Sequence, residues 1–411
     1  EIEQLAGQFR AAGHQILEHP KDAVLVVVNT CSVTAAAAAD STLKARQAHL
    51  AGARKIILTG CWATLEPDRA AALEGVDQVV SNLEKMNITQ SVLQSEEGLI
   101  DLEPMARKPL PGAHARTRAF IKVQDGCDNF CTYCVTRLAR GKSRSLPKGE
   151  ILREIHRAEN GGVREVVLSG VHLASWGRED SRGETISDLL RFLLDNTKVE
   201  RIRLSSIEPW NLDDHFFALW HDPRLCRHLH LPLQSGSAAV LRRMARHTTP
   251  DSYARLIEMA RSTIPDFAIT TDLIVAFPGE SMSEYEESLA FVERMNFSGG
   301  HVFRFSPREG TAAARMTGRV GGVEAKNRAI RMQEVLRKGQ EKFLESVLGN
   351  TLEVLWEGSG KKDAQGWLLH GLSDQYIHVS ARASENRWNL IDRVKITDTD
   401  GNKVFGAIET L

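Results

Sequence analysis

The chain has 411 residues, of which 42% are apolar and 26% charged, with a formal net charge of −1. That length allows two or three domains with a sizeable core, and near-neutrality removes any global basic signal for nucleic acid. No apolar run approaches the ~20 residues that span a bilayer, and no signal-peptide pattern opens the chain. A reducing, cytoplasmic setting without a membrane is therefore expected.

The first region, 1–105, reads as an open parallel α/β domain. Residues 1–13 pattern as a helix, 23–29 (AVLVVVN) as a buried strand, 35–50 as an alanine-rich helix and 55–59 (KIILT) as a second strand. Continuous apolar strands of this kind suit a parallel sheet covered on both faces. A helix that leads into such a sheet usually follows an earlier strand, so the polypeptide is expected to begin upstream of Glu1. Residues 97–117 carry Pro and Gly without periodicity and read as a linker.

The second region, 115–348, alternates strands and helices six times. The expected strands are 120–124, 165–169, 201–205, 228–232, 268–275 and 300–305, separated by helices such as 281–294, and a long helix over 323–348 closes the region. Six such units make a (β/α)6 partial barrel, whose chemistry sits on the loops after its strands. The last region, 350–411, has short alternating runs and Asp-Gly turns and reads as a small all-β barrel.

Six cysteines occur, too few for a secreted disulfide scaffold of this length. Three are packed into GCDNFCTYCVT as Cys127-x3-Cys131-x2-Cys134, directly after the first barrel strand. Three thiolates hold three irons of a 4Fe–4S cluster and leave the fourth open, whereas four would make a closed electron carrier. The open iron can chelate the amino and carboxylate groups of S-adenosylmethionine (SAM), whose reductive cleavage yields a 5′-deoxyadenosyl radical. A structural zinc site would want a fourth Cys or His at short spacing, and none lies beside the triplet. Cys31 in NTCSVT and Cys61 in LTGCWAT each follow a strand, at the sheet edge where ligands bind in open α/β folds. Taken alone they read as small buried residues, and two thiolates are too few for a cluster. Cys226 reads as a core cysteine.

These stretches, with RGKSRS, LSGVHLASWG, RLSSIEP, HLHLPLQSGS, DLIVAFPGES and FSPREGTAA, resemble the methylthiotransferase family of radical SAM enzymes along essentially the whole chain. NTCSVT and QDGCDNFC are most similar to the subgroup that acts on threonylcarbamoyladenosine in tRNA. The resemblance implies a TRAM domain at 350–411 and two 4Fe–4S clusters. One is the SAM-binding cluster on Cys127, Cys131 and Cys134. The other is an auxiliary cluster on Cys31, Cys61 and a third cysteine expected upstream of Glu1. It further implies that one SAM methylates sulfur at the auxiliary cluster. A second SAM supplies the radical that removes hydrogen from carbon 2 of adenosine 37, where the methylthio group is inserted. An unactivated aromatic C–H needs such a cofactor. A flavodoxin- or ferredoxin-like electron donor is expected, while the sulfur donor is unspecified. A different modified adenosine, a ribosomal protein substrate, or a non-catalytic metal-stabilised RNA-binding protein are the competing readings. The chain departs from the family pattern at Thr136-Arg137-Leu138, where Pro-Tyr is usual, at Ala276, where Gly is common, and at Phe305, where Tyr is common.

For SAM, Tyr133 is expected near the adenine and the Ser169-Gly170 backbone near the methionine amine, where Gly permits close approach. Ser206, Glu208, Gln234 and Asp272 follow later strands and are expected to bond the methionine or ribose, or else to be satisfied polar residues inside the barrel. Arg246 in RRMARH meets the SAM carboxylate or, as the favoured alternative, lies on a solvated helix face. Residues 105–150 hold ten Lys and Arg (among them Arg107, Lys108 and Arg116) against three acids, a net of +7 around the cysteine triplet. Arg137, Arg140, Lys142 and Arg144 are thus expected to meet tRNA phosphate. The tail 351–411 carries a net of −2, and its Trp356, Trp367, Tyr376 and Trp388 are read mostly as core.

Overall fold

The structure, a computed structural model, describes residues 1–17, 19–32, 35–93, 117–179, 183–357 and 360–409. The expected linker lies outside the described residues except for Thr117, as do Arg107, Lys108 and Arg116. Two compact units are present. The first is Glu1–Ala115 with Gly126–Asn129 and Val135–Lys142; the second is Arg116–Asp125, Phe130–Cys134 and Ser143–Leu411.

In the first unit, helix α1 (Ile2–Ala11) precedes strand β1 (Leu25–Thr30), helix α2 (Ala35–Leu50), strand β2 (Lys55–Gly60), helix α3 (Cys61–Leu65), strand β3 (Gln78–Val79) and helix α4 (Ile88–Leu93). The three strands are parallel in the order β1-β2-β3. The period-two pattern of β2 sends Ile56 and Leu58 to one face, against Ala45 and Ala48 of α2 and Trp62 of α3. Ile57 goes to the other, against Leu5 and Phe9 of α1 and Ile88 and Val92 of α4. Both faces are covered, as the apolar strands required. Helix α5 (Thr136–Arg140), in the Val135–Lys142 segment of this unit, packs beside α3.

The second unit carries six parallel strands: β4 (Arg118–Lys122), β5 (Glu165–Ser169), β6 (Arg201–Leu204), β7 (His228–His230), β8 (Ala268–Val275) and β9 (Gly299–Arg304). They form the runs β4-β5-β6 and β7-β8-β9, joined by a parallel bridge between Ser206 and His230. Helices including Lys148–Asn160, Ile186–Asn196, Pro250–Thr263 and Met282–Met295 alternate with them, which is the expected (β/α)6 partial barrel. Local signals set the helix starts. Thr185/Asp188, Thr249/Ser252 and Ser281/Glu284 each form a reciprocal capping box. The first strand lies two residues earlier than expected, at Arg118–Lys122 rather than 120–124. After Lys122 the chain leaves it, and Gln124–Asp125 pairs antiparallel with Arg144–Ser145. The Gln124 amide holds this turn, donating to Ser143 Oγ (2.9 Å) and accepting from the His172 N–H (2.8 Å).

A 25-residue helix, Gly322–Ser346, leads to strands β10 (Thr351–Trp356), β11 (Gly366–Ser373), β12 (His378–Ala383), β13 (Ile391–Thr399) and β14 (Val404–Ile408). Their order β10-β13-β14-β12-β11, with β11 returning to β10, closes a five-stranded barrel. Trp356 is fully buried in its core and donates to Asp392 (2.7 Å), whereas Tyr376 and Trp388 are exposed. The turn after β11 is pinned under the six-stranded half-barrel. Arg203 donates to the carbonyls of Ser373 and Asp374 (both 3.0 Å) while its Nε and Nη2 grip the fully buried Glu165 (2.7 and 3.1 Å). Arg201 donates to Leu372 O (3.1 Å), Arg227 pairs with Asp374 (2.7 Å), and Tyr376 stacks on His228 (4.7 Å between centroids). Cys226 is buried beside this cluster, and burial pushes its thiol up to about 12. The expectation that it is a core cysteine agrees with this placement.

Candidate active site

The cysteine triplet occupies the loop after β4. Gly126 adopts φ +71°, and a Cβ there would lie 1.9 Å from Lys142 O, so only glycine fits. Cys127 follows at once and donates its N–H to Gly141 O (3.1 Å). Further along, Thr132 donates its N–H to Met244 O (3.0 Å) and its hydroxyl to Arg243 O (2.8 Å), and Cys134 N–H bonds Cys131 O (3.0 Å). Both halves of the loop are thus held by backbone bonds. Cys127 and Cys131 are half-buried, and Cys134 is exposed. The Tyr133 ring meets the edge of Phe277 (6.4 Å).

Within the second unit, Arg246 turns its guanidinium toward Cys131 of this loop. Helix Ala238–Arg243 ends just before it, and Ala245 at φ +53° turns the chain inward. The side chain is 2% exposed, which corrects the solvated helix face favoured from RRMARH. Its Nη2 donates to Glu208 (2.9 Å) and Pro232 O (2.6 Å), its Nη1 points at Cys131 Sγ (4.0 Å), and its plane lies over Trp210 (4.5 Å to the centroid). Burial opposes its charge, but its neighbours, with the Glu208 carboxylate as the bonded anion, outweigh that and it stays protonated. Burial also pushes the Cys131 thiol up, against the pull of Arg246. Trp210 is flanked by His172 (5.7 Å) and His247 (5.6 Å). Trp210 carried no motif signal in the sequence, and His172 and His247, though inside LSGVHLASWG and RRMARH, were not singled out there.

The other expected residues stand at the carboxyl ends of the same strands. Ser169 ends β5 and accepts the Val123 N–H at its carbonyl (2.9 Å). A Cβ on Gly170 would press on Gln124 at 3.1 Å. Ser206 is exposed and bridges to His230. Gln234 has φ +74°, in the left-handed region, with its N–H on Asp272 O (2.8 Å). Asp272 pairs with His230 Nε2 (3.2 Å), whose Nδ1 meets Thr270 (3.0 Å). Asp272 Oδ1, Ser205 Oγ and Arg246 Nε are buried polar atoms without a hydrogen-bond partner. Buried groups of this kind are normally satisfied, so a polar ligand at this end of the strands would meet a standing demand.

Of the basic residues assigned to phosphate, Arg140 pairs with Glu1 (3.1 Å), Arg137 donates to Asp128 O (3.1 Å), and Arg144 lies 3.8 Å from Asp125. Lys142 is exposed. In the first unit, Cys61 opens α3 at the end of β2 and Cys31 lies just past β1, exposed, with its N–H on Ser41 Oγ (3.0 Å). Among the described residues no three His, Cys, Asp or Glu side chains converge as a single metal ion would require. Among them, too, no helix is long and apolar enough to cross a membrane.

Two family models match: the radical SAM superfamily over residues 121–292, and the uncharacterized protein family UPF0004 over residues 1–81. The chain is 37% identical to the threonylcarbamoyladenosine tRNA methylthiotransferase MtaB of Thermotoga maritima, over 92% of this chain and 87% of that protein. Identity to the MtaB of Bacillus subtilis is 32%, over 96% and 90%. The tRNA-2-methylthio-N(6)-dimethylallyladenosine synthase of Caldicellulosiruptor saccharolyticus is 30% identical over 99% and 89%. In fold, the chain resembles the radical SAM methyltransferase TsrM from Kitasatospora setae, with a TM-score of 0.55 at 12% identity over 71% of this chain and 65% of that one.

Proposed function

The chain belongs to the methylthiotransferase family of radical SAM enzymes, and from that premise we propose that it is a tRNA methylthiotransferase acting at carbon 2 of N6-threonylcarbamoyladenosine 37. The observation that carries the substrate is the likeness to the two MtaB proteins over more than nine-tenths of the chain. Membership brings one 4Fe–4S cluster and SAM as cofactors. The three-part division at 1–105, 115–348 and 350–411, the last as an RNA-binding TRAM barrel, is part of the same proposal, as are a cytoplasmic setting and a low-potential electron donor.

Cys127, Cys131 and Cys134 would hold the SAM-binding cluster. Their donor chemistry fits: three thiols fall within eight residues on a loop fixed at both halves by backbone bonds. They need not converge as ligands of one ion do, because each binds a different iron. When bound, the cluster supplies the electron that opens the sulfonium of SAM. The remaining work falls to the chain's own groups. Ser169 and Gly170 offer backbone close to the methionine end, Ser206, Glu208, Gln234 and Asp272 offer oxygens and an amide to the methionine and ribose, and Tyr133 flanks the adenine. Asp272 Oδ1 and Arg246 Nε, buried without partners, support a polar ligand there. Cys31 and Cys61 would be ligands of the auxiliary cluster. Arg137, Arg140, Lys142 and Arg144 would meet phosphate, Arg140 by exchanging Glu1 for it and Arg144 by exchanging Asp125.

The test is nucleoside mass spectrometry of tRNA from a strain lacking its own enzyme and expressing this chain. Restored 2-methylthio-N6-threonylcarbamoyladenosine supports the reading. The likeness to the dimethylallyladenosine synthases, 30–33% identity, supports a second reading, which the same spectra address. A methylthio mark on dimethylallyladenosine alone would replace the first reading with the second.

A further inference from the structure

We propose that Arg246 sets the reduction potential of the cluster on the cysteine triplet, acting as a fixed positive charge beside Cys131. The inference rests on the reading that Cys131 is a cluster ligand. It goes beyond SAM binding because it concerns the cluster with no SAM present.

Four observations converge on Arg246. Its side chain is 2% exposed, so its charge is poorly screened by water. It is locked from three sides by Glu208 (2.9 Å), Pro232 O (2.6 Å) and the Trp210 ring (4.5 Å). Its remaining terminal nitrogen, Nη1, is aimed at Cys131 Sγ (4.0 Å). Its Nε is buried with no acceptor, so the guanidinium is not fully satisfied by carboxylate and carbonyl. An arginine needed only to neutralise Glu208 would be expected to direct its fork there, as Arg243 does on Glu284 with two bonds (2.9 and 2.7 Å). Arg246 instead divides its terminal nitrogens between Glu208 and the sulfur.

Hydrogen bonds to cluster sulfurs and nearby charge are what tune iron–sulfur potentials. Reduction adds one electron and one negative charge to the cluster; no proton need follow, because Arg246 is already protonated. A buried cation next to a ligand sulfur stabilises the reduced form and raises the potential. Glu208, which takes the Nη2 bond of the same guanidinium, works in the opposite sense. Arg246 and Glu208 therefore form an opposed pair whose balance decides how readily the cluster accepts its electron. Trp210 is a positioning residue in this arrangement, since it holds the guanidinium plane.

The experiment is an electron paramagnetic resonance redox titration of the anaerobically reconstituted full chain, without SAM, with dithionite as the reductant and iron and sulfide counted in each sample. Arg246→Gln removes the charge. At a fixed applied potential its ratio of reduced to oxidised cluster is expected to fall at least tenfold, which is 59 mV for a one-electron couple. Arg246→Lys keeps the charge and should stay within threefold of the unaltered chain. Glu208→Gln should move the ratio the other way, upward, and keeps the test decisive if Arg246→Gln assembles no cluster. Unchanged ratios in Arg246→Gln, or a downward shift in Glu208→Gln, overturn the proposal. If the unaltered chain itself yields no reducible cluster on the triplet, the underlying reading of Cys131 fails instead.

Discussion

Replacing Arg203 by methionine tests whether the buried ion cluster fixes the C-terminal barrel beneath the half-barrel. Glu165 is fully buried and takes two bonds from Arg203, at 2.7 and 3.1 Å, with Arg201 standing off at 3.8 Å. Methionine fills a similar volume but leaves that carboxylate with one distant cation. It also removes the donor from Ser373 O and Asp374 O, each 3.0 Å from Arg203. Breaking a buried pair from one side costs about 3–5 kcal/mol because the other charge stays buried. At ~2 °C per kcal/mol for a unit of this size, the unfolding transition should drop by roughly 6–10 °C. Differential scanning calorimetry reads the transition, and limited proteolysis should show faster cutting between the Gly322–Ser346 helix and β10. The double variant with Glu165→Gln removes the stranded carboxylate and should recover part of the loss, because the buried Arg201 then keeps its charge without that counter-ion. A drop below ~1 °C in Arg203→Met, with unchanged proteolysis, would refute the assignment of the cluster as the fastening between these elements.

Other expectations follow from single residues. Ala276 holds φ +60° while buried, a conformation that costs an L-residue about 1–2 kcal/mol. Ala276→Gly relieves it at ~0.5–1 kcal/mol of extra unfolded-chain entropy, so a net gain of roughly 0.5 kcal/mol should appear in chemical denaturation; a loss would contradict the strain argument. The Arg243 fork holds Glu284 at about 2. A carboxyl depressed from its unfolded value near 4.5 contributes stability above that value and loses it as pH falls toward 2. In Arg243→Leu that acid-sensitive component should shrink, with Glu284 titrating closer to its ordinary value by NMR while its Ser281 bonds remain. Cys127→Ala, Cys131→Ala and Cys134→Ala should each remove about one cluster's worth of iron from the reconstituted protein, measured by colorimetric iron assay, whereas Cys226→Ser should not.

The parts of the chain that chemistry or burial dictates locally were the legible ones. The triplet stands out because ligand spacing is a local property, and 165–169 and 268–275 stand out because strands buried on both faces are apolar throughout. The departure at Ala276 also has a visible counterpart, since the position is left-handed and suits glycine. Arg246 was misjudged for a physical reason. Three arginines in RRMARH look solvated, and only the turn at Ala245 sends the last of them inward. The cluster under the half-barrel was missed although RIRL alternates charge and apolarity at strand period, a pattern that can send arginines to one face. Its partners are the fully buried Glu165 and the turn after β11, about 170 residues away in sequence from Arg203. The docking of Tyr376 on His228 and the packing of α3 beside α5 are long-range in the same way.

The most direct measurement is chromatographic detection of 5′-deoxyadenosine from SAM by the anaerobically reconstituted chain with dithionite. The unaltered chain should form it, and the variant lacking the thiols of Cys127, Cys131 and Cys134 should form none. Equal yields from the two, or no product from the unaltered chain despite a full complement of iron, would contradict a radical SAM site on that loop.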